Sequence, residues 1–564
     1  MGNQSGLKKL QIPLFLLLIL VTLLTGLYQH DLSLTDETRE AAIIVHMHKE
    51  GNYAVPILGA QLFLEKPPLY YWGEVLALKT HHFFSSEAVA ITEILRLGSL
   101  FWALATLVAT FLLTRLWSKY WSDREDIKNT HQTALIAVAI LASCNGFLSN
   151  ALTIRTDIAL VFFTVLIALG FSMAYLEKNK YGSVIASLGL AGGFLSKGII
   201  ALALGGLIWI ALLPFIYTLW QEKKFKTLIP HVIIPLIILL SIISVWLYFL
   251  IKQGGAGAWD QWFIENSLKR ATGGGTLGHE EPGKFFYYFE PFFIYSLPWF
   301  LIWILALIGS PKSSTSYRYL MPLQCWVILP FCLLSIVATK RPIYALPLLP
   351  FLAIAISALC WNDRQKWLSY LLHGLSILIG IVTISAMLLP HFPIDFIKHL
   401  STRFDFDEFI MPFWSMIVLV ATYFFFFFFF KKEPTFRLCS ALLLMMLVAN
   451  ILIFPSKNGY FSGAEQLQTF FSHQNDNEWS KTASNFLSEK TTGYIYTHYQ
   501  TVPTMLPIEQ LHALLKEKNK AYDYILIETD AVFQALPIHQ DQIVAHLIKE
   551  QHSKYNSLYL IQLR

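Results

Sequence analysis

DLSLTDETREAAIIVHMHKEGNYAVPILGAQLFLEKPPLYYW, residues 31–72, lies between two apolar runs and decides how the chain is read. It carries Asp36, Glu37, Arg39, Glu40, Glu65 and Lys66, while most of the surrounding chain is hydrocarbon. Charges next to a bilayer are retained when they bind or catalyse something there. The stretch reads as the polar wall of a site at a membrane surface.

Working outward, the 564 residues are 55% hydrophobic and 14% charged. A soluble protein carries about 25% charged residues. The chain is therefore expected to be a polytopic α-helical membrane protein. Its net charge of +5 does not point to nucleic acid, because much of the basic charge sits in short loops, where it sets orientation. The five cysteines all fall in apolar runs without a CxxC pair, so no disulfide framework or cysteine metal site is indicated.

Lys8 and Lys9 precede the apolar run Leu10 to Tyr28, as in a secretory signal. The run approaches the roughly 20 residues of a span and lacks an A-x-A cleavage site, so it reads as a retained first helix. Further runs fall near 91–114, 132–150, 158–176, 184–196, 199–218, 231–251, 288–310, 319–338, 343–361, 367–389, 412–430 and 438–455, giving about 13 helices. The pair 184–196 and 199–218 also fits a single bent helix with Lys197 inside the membrane.

With a cytoplasmic N-terminus, every inside loop carries at least two Lys or Arg, as the positive-inside rule requires. Segments 29–90, 151–157, 252–287, 339–342 and 390–411, and the tail after Pro455, then share the outer face. Residues 1–455 are read as the transmembrane domain, with outer loops 29–90 and 252–287, and 456–564 as a soluble α/β domain. In the tail, strands are expected at 493–498, 522–529 and 557–563, and helices at 464–473, 479–489, 507–519 and 540–550. The run Phe424 to Phe430 reads as lipid-facing packing before Lys431 and Lys432. The glycine-rich segments 254–259 and 273–279 lack the GK[ST] of a P-loop and read as a flexible outer loop.

Six constellations could carry chemistry. Asp36-Glu37-Thr38-Arg39 follows the first helix and could orient or deprotonate a hydroxyl, or simply cap a helix. Glu65-Lys66 is presented by Pro67-Pro68, where the lysine suits a phosphate or merely snorkels. Arg155-Thr156-Asp157 sits in a very short connection and could face a cavity or cap two helices. Lys197 between apolar runs is costly without a partner. Lys269-Arg270 and His279-Glu280-Glu281 lie in the glycine-rich loop. Lys340-Arg341-Pro342, with Tyr344, forms another tight outer loop. Lys66, Lys197, Arg270 and Arg341 suit a phosphate or pyrophosphate. Asp36, Glu65 and Asp157 suit hydroxyls, cations or a metal. Under one topology all six face the same side.

DETR at 36–39, FLEKPPLYYW at 63–72, RTD at 155–157, SKG at 196–198, HEEPGKFFYY at 279–288 and KRPIYALPLLP at 340–350 resemble the membrane-embedded glycosyltransferases of GT-C fold. Within these they are similar to the protein-mannosyltransferase superfamily, and in particular to the bacterial aminoarabinose lipid A transferases and their relatives. The resemblance implies an inverting transferase at the periplasmic face of the bacterial inner membrane, working as a monomer. It implies a polyprenyl-phosphate-linked (undecaprenyl) sugar donor and a lipid A, glycan or protein acceptor. Asp36 and Asp157 would be the catalytic or acceptor-orienting acids. Lys66 and Arg270 would hold the lipid phosphate, with Arg39, Arg155, Lys197 and Arg341 as further substrate-binding cations. Tyr344 would line the donor cavity, and Glu65 and His279 would ligate a divalent metal ion. Glu40 stands where the family often has tyrosine, and Leu64 where an aromatic is common, which leaves the sugar and acceptor open. The alternative is a transporter or flippase of lipid-linked sugars. That would predict charges at mid-membrane and similar halves, but no internal repeat is present.

Overall fold

The computed structural model describes residues 3–27, 32, 35–59, 61–84, 91–121, 130–222, 225–255, 257–269, 284–309, 317–362, 366–388, 413–453, 470–471, 479, 481–485, 487–499, 503–516, 522–538, 542–547 and 557–563. Arg270 and His279 lie outside them.

Each expected apolar run carries a helix. After α1 (Asn3–Thr25) come α2 (Thr35–Glu50) and α3 (Leu69–Phe84) in the first polar loop, then α4 (Ile91–Trp121), α5 (Thr130–Ala142), α6 (Asn145–Ala151) and α7 (Thr156–Tyr175). These are followed by α8 (Lys180–Lys197), α9 (Ile199–Ala211), α10 (Leu213–Gln221) and α11 (Phe225–Gly254). Then come α12 (Phe289–Ser296), α13 (Trp299–Gly309), α14 (Tyr317–Ile336), α15 (Leu348–Asn362), α16 (Lys366–Leu388), α17 (Phe413–Phe429) and α18 (Pro434–Val448). Among the described residues, seven helices are long and apolar enough to cross a membrane, and ten if each bent pair makes one span. The chain is a multi-pass membrane protein. Between Lys180 and Ala211 the structure has two helices, broken at Gly198, whose φ of +73° suits glycine.

The phenylalanine run is two-sided. Phe424, Phe425 and Phe428 are exposed, while Phe426 and Phe430 are buried. Rings four apart stack, as in Phe425–Phe429 at 5.1 Å, and Phe430 packs on Phe15 and Phe436.

Besides the hairpin β1 (Ile57–Leu58) and β2 (Gln61–Leu62) of the first polar loop, the described residues of the tail form one five-stranded sheet of β3 (Thr482–Ser484), β4 (Thr504–Met505), β5 (Tyr524–Glu528), β6 (Ile543–Leu547) and β7 (Leu558–Gln562) in the order β4-β3-β5-β7-β6. The first three strands are parallel, and β7 runs antiparallel to both its neighbours. Alternate residues of β5 and β7 feed two cores. Leu526, Leu558 and Leu560 meet Phe471, Trp479 and Tyr494 on one face. Ile525, Ile527 and Ile561 meet Leu511 and Leu514 of helix Ile508–Lys516 on the other.

Three expectations for the tail are corrected. Residues 493–498 belong to a helix, α19 (Glu489–Tyr499), not a strand. Ser488 caps its start by accepting from the Thr491 N–H at 3.3 Å, and its buried side rests on α2. Residues 543–547 are strand rather than helix, because β-branched Ile543 and Val544 open a segment that pairs with β7. Within 479–489, small Thr482, Ala483 and Ser484 form a fully buried strand between β4 and β5. The expected helix at 464–473 falls mostly outside the described residues.

Candidate functional site

Helix α2 carries DETR in its first turn, where the positive end of the helix dipole favours Asp36 and Glu37. It ends at Gly51, φ +70°, whose N–H donates to the Met47 carbonyl at 3.1 Å. Glu37 ties the helix down: its carboxylate accepts from the Ile154 N–H at 2.9 Å and faces Arg96 of α4 at 3.5 Å. That bond also fixes the turn bearing Arg155, Thr156 and Asp157.

Asp36 is ringed by arginines. Arg39 Nη2 donates to its Oδ1 at 2.7 Å, Arg155 Nη2 donates to Oδ2, and Arg341 Nη1 stands 3.7 Å from Oδ1. Burial alone would raise its pKa. Lys66, Arg155, Arg39 and Arg341 outweigh that and hold the carboxyl well below the usual carboxylate range. Arg39 is itself a buried hub, 3.2 Å from Glu40, 3.5 Å from Glu65 and 2.9 Å from Glu489, with its guanidinium 4.8 Å over the Phe63 ring. The two-stranded hairpin Ile57–Leu58 and Gln61–Leu62, turning at Gly59 with φ +63°, sets Phe63 there. Pro67-Pro68 then leads into α3, whose first turn is closed by Trp72 N–H donating to the Pro68 carbonyl at 3.0 Å.

Asp157, in the first turn of α7, pairs with Lys197 at the last residue of α8. Lys197 sits where the helix dipole favours a cation, with its ammonium 5.0 Å from the Tyr344 ring centre. Lys340 is buried and donates to the Leu334 and Ser335 carbonyls at 2.9 and 2.6 Å. It thereby ties off α14 and fixes the extended residue Arg341 just before Pro342.

Asp36, Glu65, Lys66, Arg155, Asp157, Lys197, Arg341 and Tyr344 line one cavity of about 320 Å³. Arg39 stands behind Asp36. Four cations (Lys66, Arg155, Lys197, Arg341) against three carboxylates (Asp36, Glu65, Asp157) leave this lining one charge positive. The remaining wall includes Ile199, Ile200, Ala203, Leu333, Leu334 and Val337, so a polar end meets an apolar one. A second cavity of about 590 Å³ is lined almost wholly by apolar groups, among them Trp72, Val245, Trp246 and Phe249, and Trp246 packs with Phe194 and Trp262. Glu65 is engaged by Arg39, and among the described residues no group of three His, Cys, Asp or Glu is arranged to hold a metal ion.

Two groups were not singled out from sequence. Glu40, fully buried, accepts from Lys66 and, at 2.5 Å, from the Tyr71 hydroxyl. It therefore builds the lysine's position. Its i, i+4 relation to Asp36 puts both on one face of α2, a readable signal. Trp262, Asn266 and Ser267 reach the cavity from the π-helical segment Asp260–Lys269, which had no signal beyond lying in an outer loop.

A family model described as dolichyl-phosphate-mannose-protein mannosyltransferase matches residues 15–256. An undecaprenyl phosphate-alpha-4-amino-4-deoxy-L-arabinose arabinosyl transferase of Proteus mirabilis is 26% identical over 389 residues, 68% of this chain and 66% of the relative. One from Serratia proteamaculans is 25% identical over 57% of this chain and 54% of the relative. The chain thus spans from about half to two thirds of the length of these curated relatives. The crystal structure of ArnT from Cupriavidus metallidurans bound to undecaprenyl phosphate superposes with a TM-score of 0.72 at 16% identity, over 98% of both chains. At that identity the likeness establishes the fold.

Proposed function

We propose, on the premise that this chain belongs to the protein-mannosyltransferase superfamily of GT-C fold, that it moves a sugar from undecaprenyl phosphate to a lipid A, glycan or protein acceptor. The reaction would run on the periplasmic face of the inner membrane, with the N-terminus cytoplasmic, the tail periplasmic and the chain acting as a monomer. One observation carries the reading. Acids and cations from segments far apart in the sequence meet in a single cavity whose other wall is apolar. A lipid-linked phosphosugar has the same division: an anionic head and a hydrocarbon chain.

In this reading Lys66, Lys197 and Arg341 bind the phosphate, and Tyr344 packs beside it. Arg270, with no position in the described structure, joins them by sequence alone. The acceptor oxygen attacks the anomeric carbon as the bond to the phosphate oxygen breaks, inverting the centre. The cations neutralise the charge gathering on the departing undecaprenyl phosphate. Asp36 is held ionised by Arg39, Arg155 and Arg341, so it is a weak base toward a resting hydroxyl. It orients the acceptor and takes the proton only as bond formation makes the oxygen acidic. Asp157, paired with Lys197, sets the lysine and faces the sugar. A divalent ion held by Glu65 and His279 would add charge neutralisation, and no step above depends on it. The second, apolar cavity is suited to chains of a lipid acceptor.

The test is mass spectrometry of lipid A and envelope glycans from a deletion strain complemented with wild type, Asp36→Asn or Lys66→Ala. The wild type should restore a sugar-mass increment and both variants should lose it. Full restoration by either variant would overturn the assignment.

A further inference from the structure

The C-terminal domain reaches into the charge network of the site. Among the described elements, the largest packing partner of α2 is not a membrane-spanning helix but α19 of the tail. Two features make the approach close. Gly493 lies against the backbone of Thr38 and Arg39, where an added Cβ would come within 2.7 Å of the Thr38 carbonyl and 2.9 Å of the Arg39 nitrogen. Four residues earlier, the Glu489 carboxylate receives a hydrogen bond from Arg39 Nη1 at 2.9 Å, while Arg39 Nη2 holds Asp36. The guanidinium is thus stretched between an acid of the tail and the acid proposed to orient the acceptor. Further along, Tyr496 packs against His46, their ring centres 5.4 Å apart.

The tail sheet fixes where Glu489 stands. Its neighbour Ser488 donates its N–H to Glu528 Oε2 at 2.6 Å, and Glu528 is buried at the end of β5. Ser488 also caps α19. Position therefore passes from the sheet to Ser488, then to Glu489, Arg39 and Asp36, through contacts that are each short and directional.

We propose that Glu489 is a positioning residue for transfer: it holds Arg39 in the rotamer that presents Asp36, so that docking of the tail completes the site. This rests on the role for Asp36 proposed above. Glu489 touches no reacting atom. Its removal leaves Arg39 with Glu40 and Glu65 as competing partners and lets the guanidinium turn away from the geometry that fixes Asp36.

The experiment uses the full chain in membranes, with Glu489→Gln, Glu489→Asp, Arg39→Lys, the Arg39→Lys/Glu489→Gln double variant and Asp36→Asn. Transfer is read as the rate of appearance of the product mass that wild type restores to the deletion strain. Binding of sugar-free undecaprenyl phosphate is read by tryptophan fluorescence of the purified proteins. Glu489→Gln should slow transfer about tenfold, with lipid phosphate affinity within about twofold of wild type. Glu489→Asp should recover part of the rate. In the Arg39→Lys background, Glu489→Gln should add little, because its effect runs through Arg39. A wild-type rate for Glu489→Gln overturns the proposal, and so does a full multiplicative loss in the double variant. Activity in Asp36→Asn overturns the underlying functional reading instead, so the two failures are told apart.

Discussion

Replacing Lys197 by methionine removes the partner of Asp157 and leaves a carboxylate that is 4% exposed facing an apolar wall. In the native pair the side chains are 11% and 6% exposed, so bulk water screens them little. Two unit charges about 4 Å apart at an effective dielectric of about 20 attract by about 4 kcal/mol. Breaking a buried pair from one side typically costs about 3–5 kcal/mol. Arg155 lines the same cavity next to Asp157 and remains in the variant, which places the expected loss near the lower end, about 3 kcal/mol. The informative quantity is the cycle with Asp157→Asn. The double variant carries no orphaned charge and should recover most of the loss, and Asp157→Asn alone orphans Lys197, so the coupling should be at least about 3 kcal/mol. Equilibrium unfolding in mixed micelles of rising SDS fraction, followed by tryptophan fluorescence, supplies the four free energies. A coupling below about 0.5 kcal/mol would show that the two groups do not depend on each other, and the reasoning would fail.

Gly98→Ala in α4 should destabilise by about 2 kcal/mol, because the added carbon would lie 1.9 Å from Oε2 of the fully buried Glu74. Glu74→Ala in the same chain should relieve it, and the same micelle titration reads both. The Asp36 pKa is depressed in the fold, so its stabilising contribution is complete above the ordinary carboxylate range and is lost only as pH falls through the lower folded value. Transfer by the wild type should therefore show no acid limb from Asp36 between about pH 5 and 8. In Arg155→Met a limb should move up toward that window, and a pH–rate profile without such movement would contradict the ring of arginines. Lys340→Met deletes two charge-assisted bonds to the end of α14. It should cost about 2 kcal/mol in stability and weaken undecaprenyl phosphate binding through Arg341. Unchanged affinity would separate Lys340 from the site.

The membrane architecture was legible because its signal is local: a run of apolar residues is a span whatever it packs against. The candidate site was legible for a related reason. Charges such as Asp36, Lys66, Asp157 and Lys197 stand out against hydrocarbon, and sidedness could be assigned loop by loop. What failed was what depends on distant partners. Tyr494 and Tyr496 alternate as a strand would, but α19 forms because Ser488 caps it and α2 receives it. Ile543 and Val544 looked like part of a helix until β7 supplied their pairing. Glu40 read as one more charge of the polar loop and as a departure from a motif, since the contacts that give it purpose, Lys66 and Tyr71, are 26 and 31 positions away.

The bond between Arg39 and Glu489 joins positions 450 apart. While the protein is being made, the early charged helix would leave the ribosome long before its counterpart. On the positioning role proposed here, a nascent or prematurely terminated chain would be inserted, apolar spans in place, and yet slow in transfer. On that proposal, full activity would begin only when the tail has docked, and half-built copies would draw little on the pool of lipid-linked sugar.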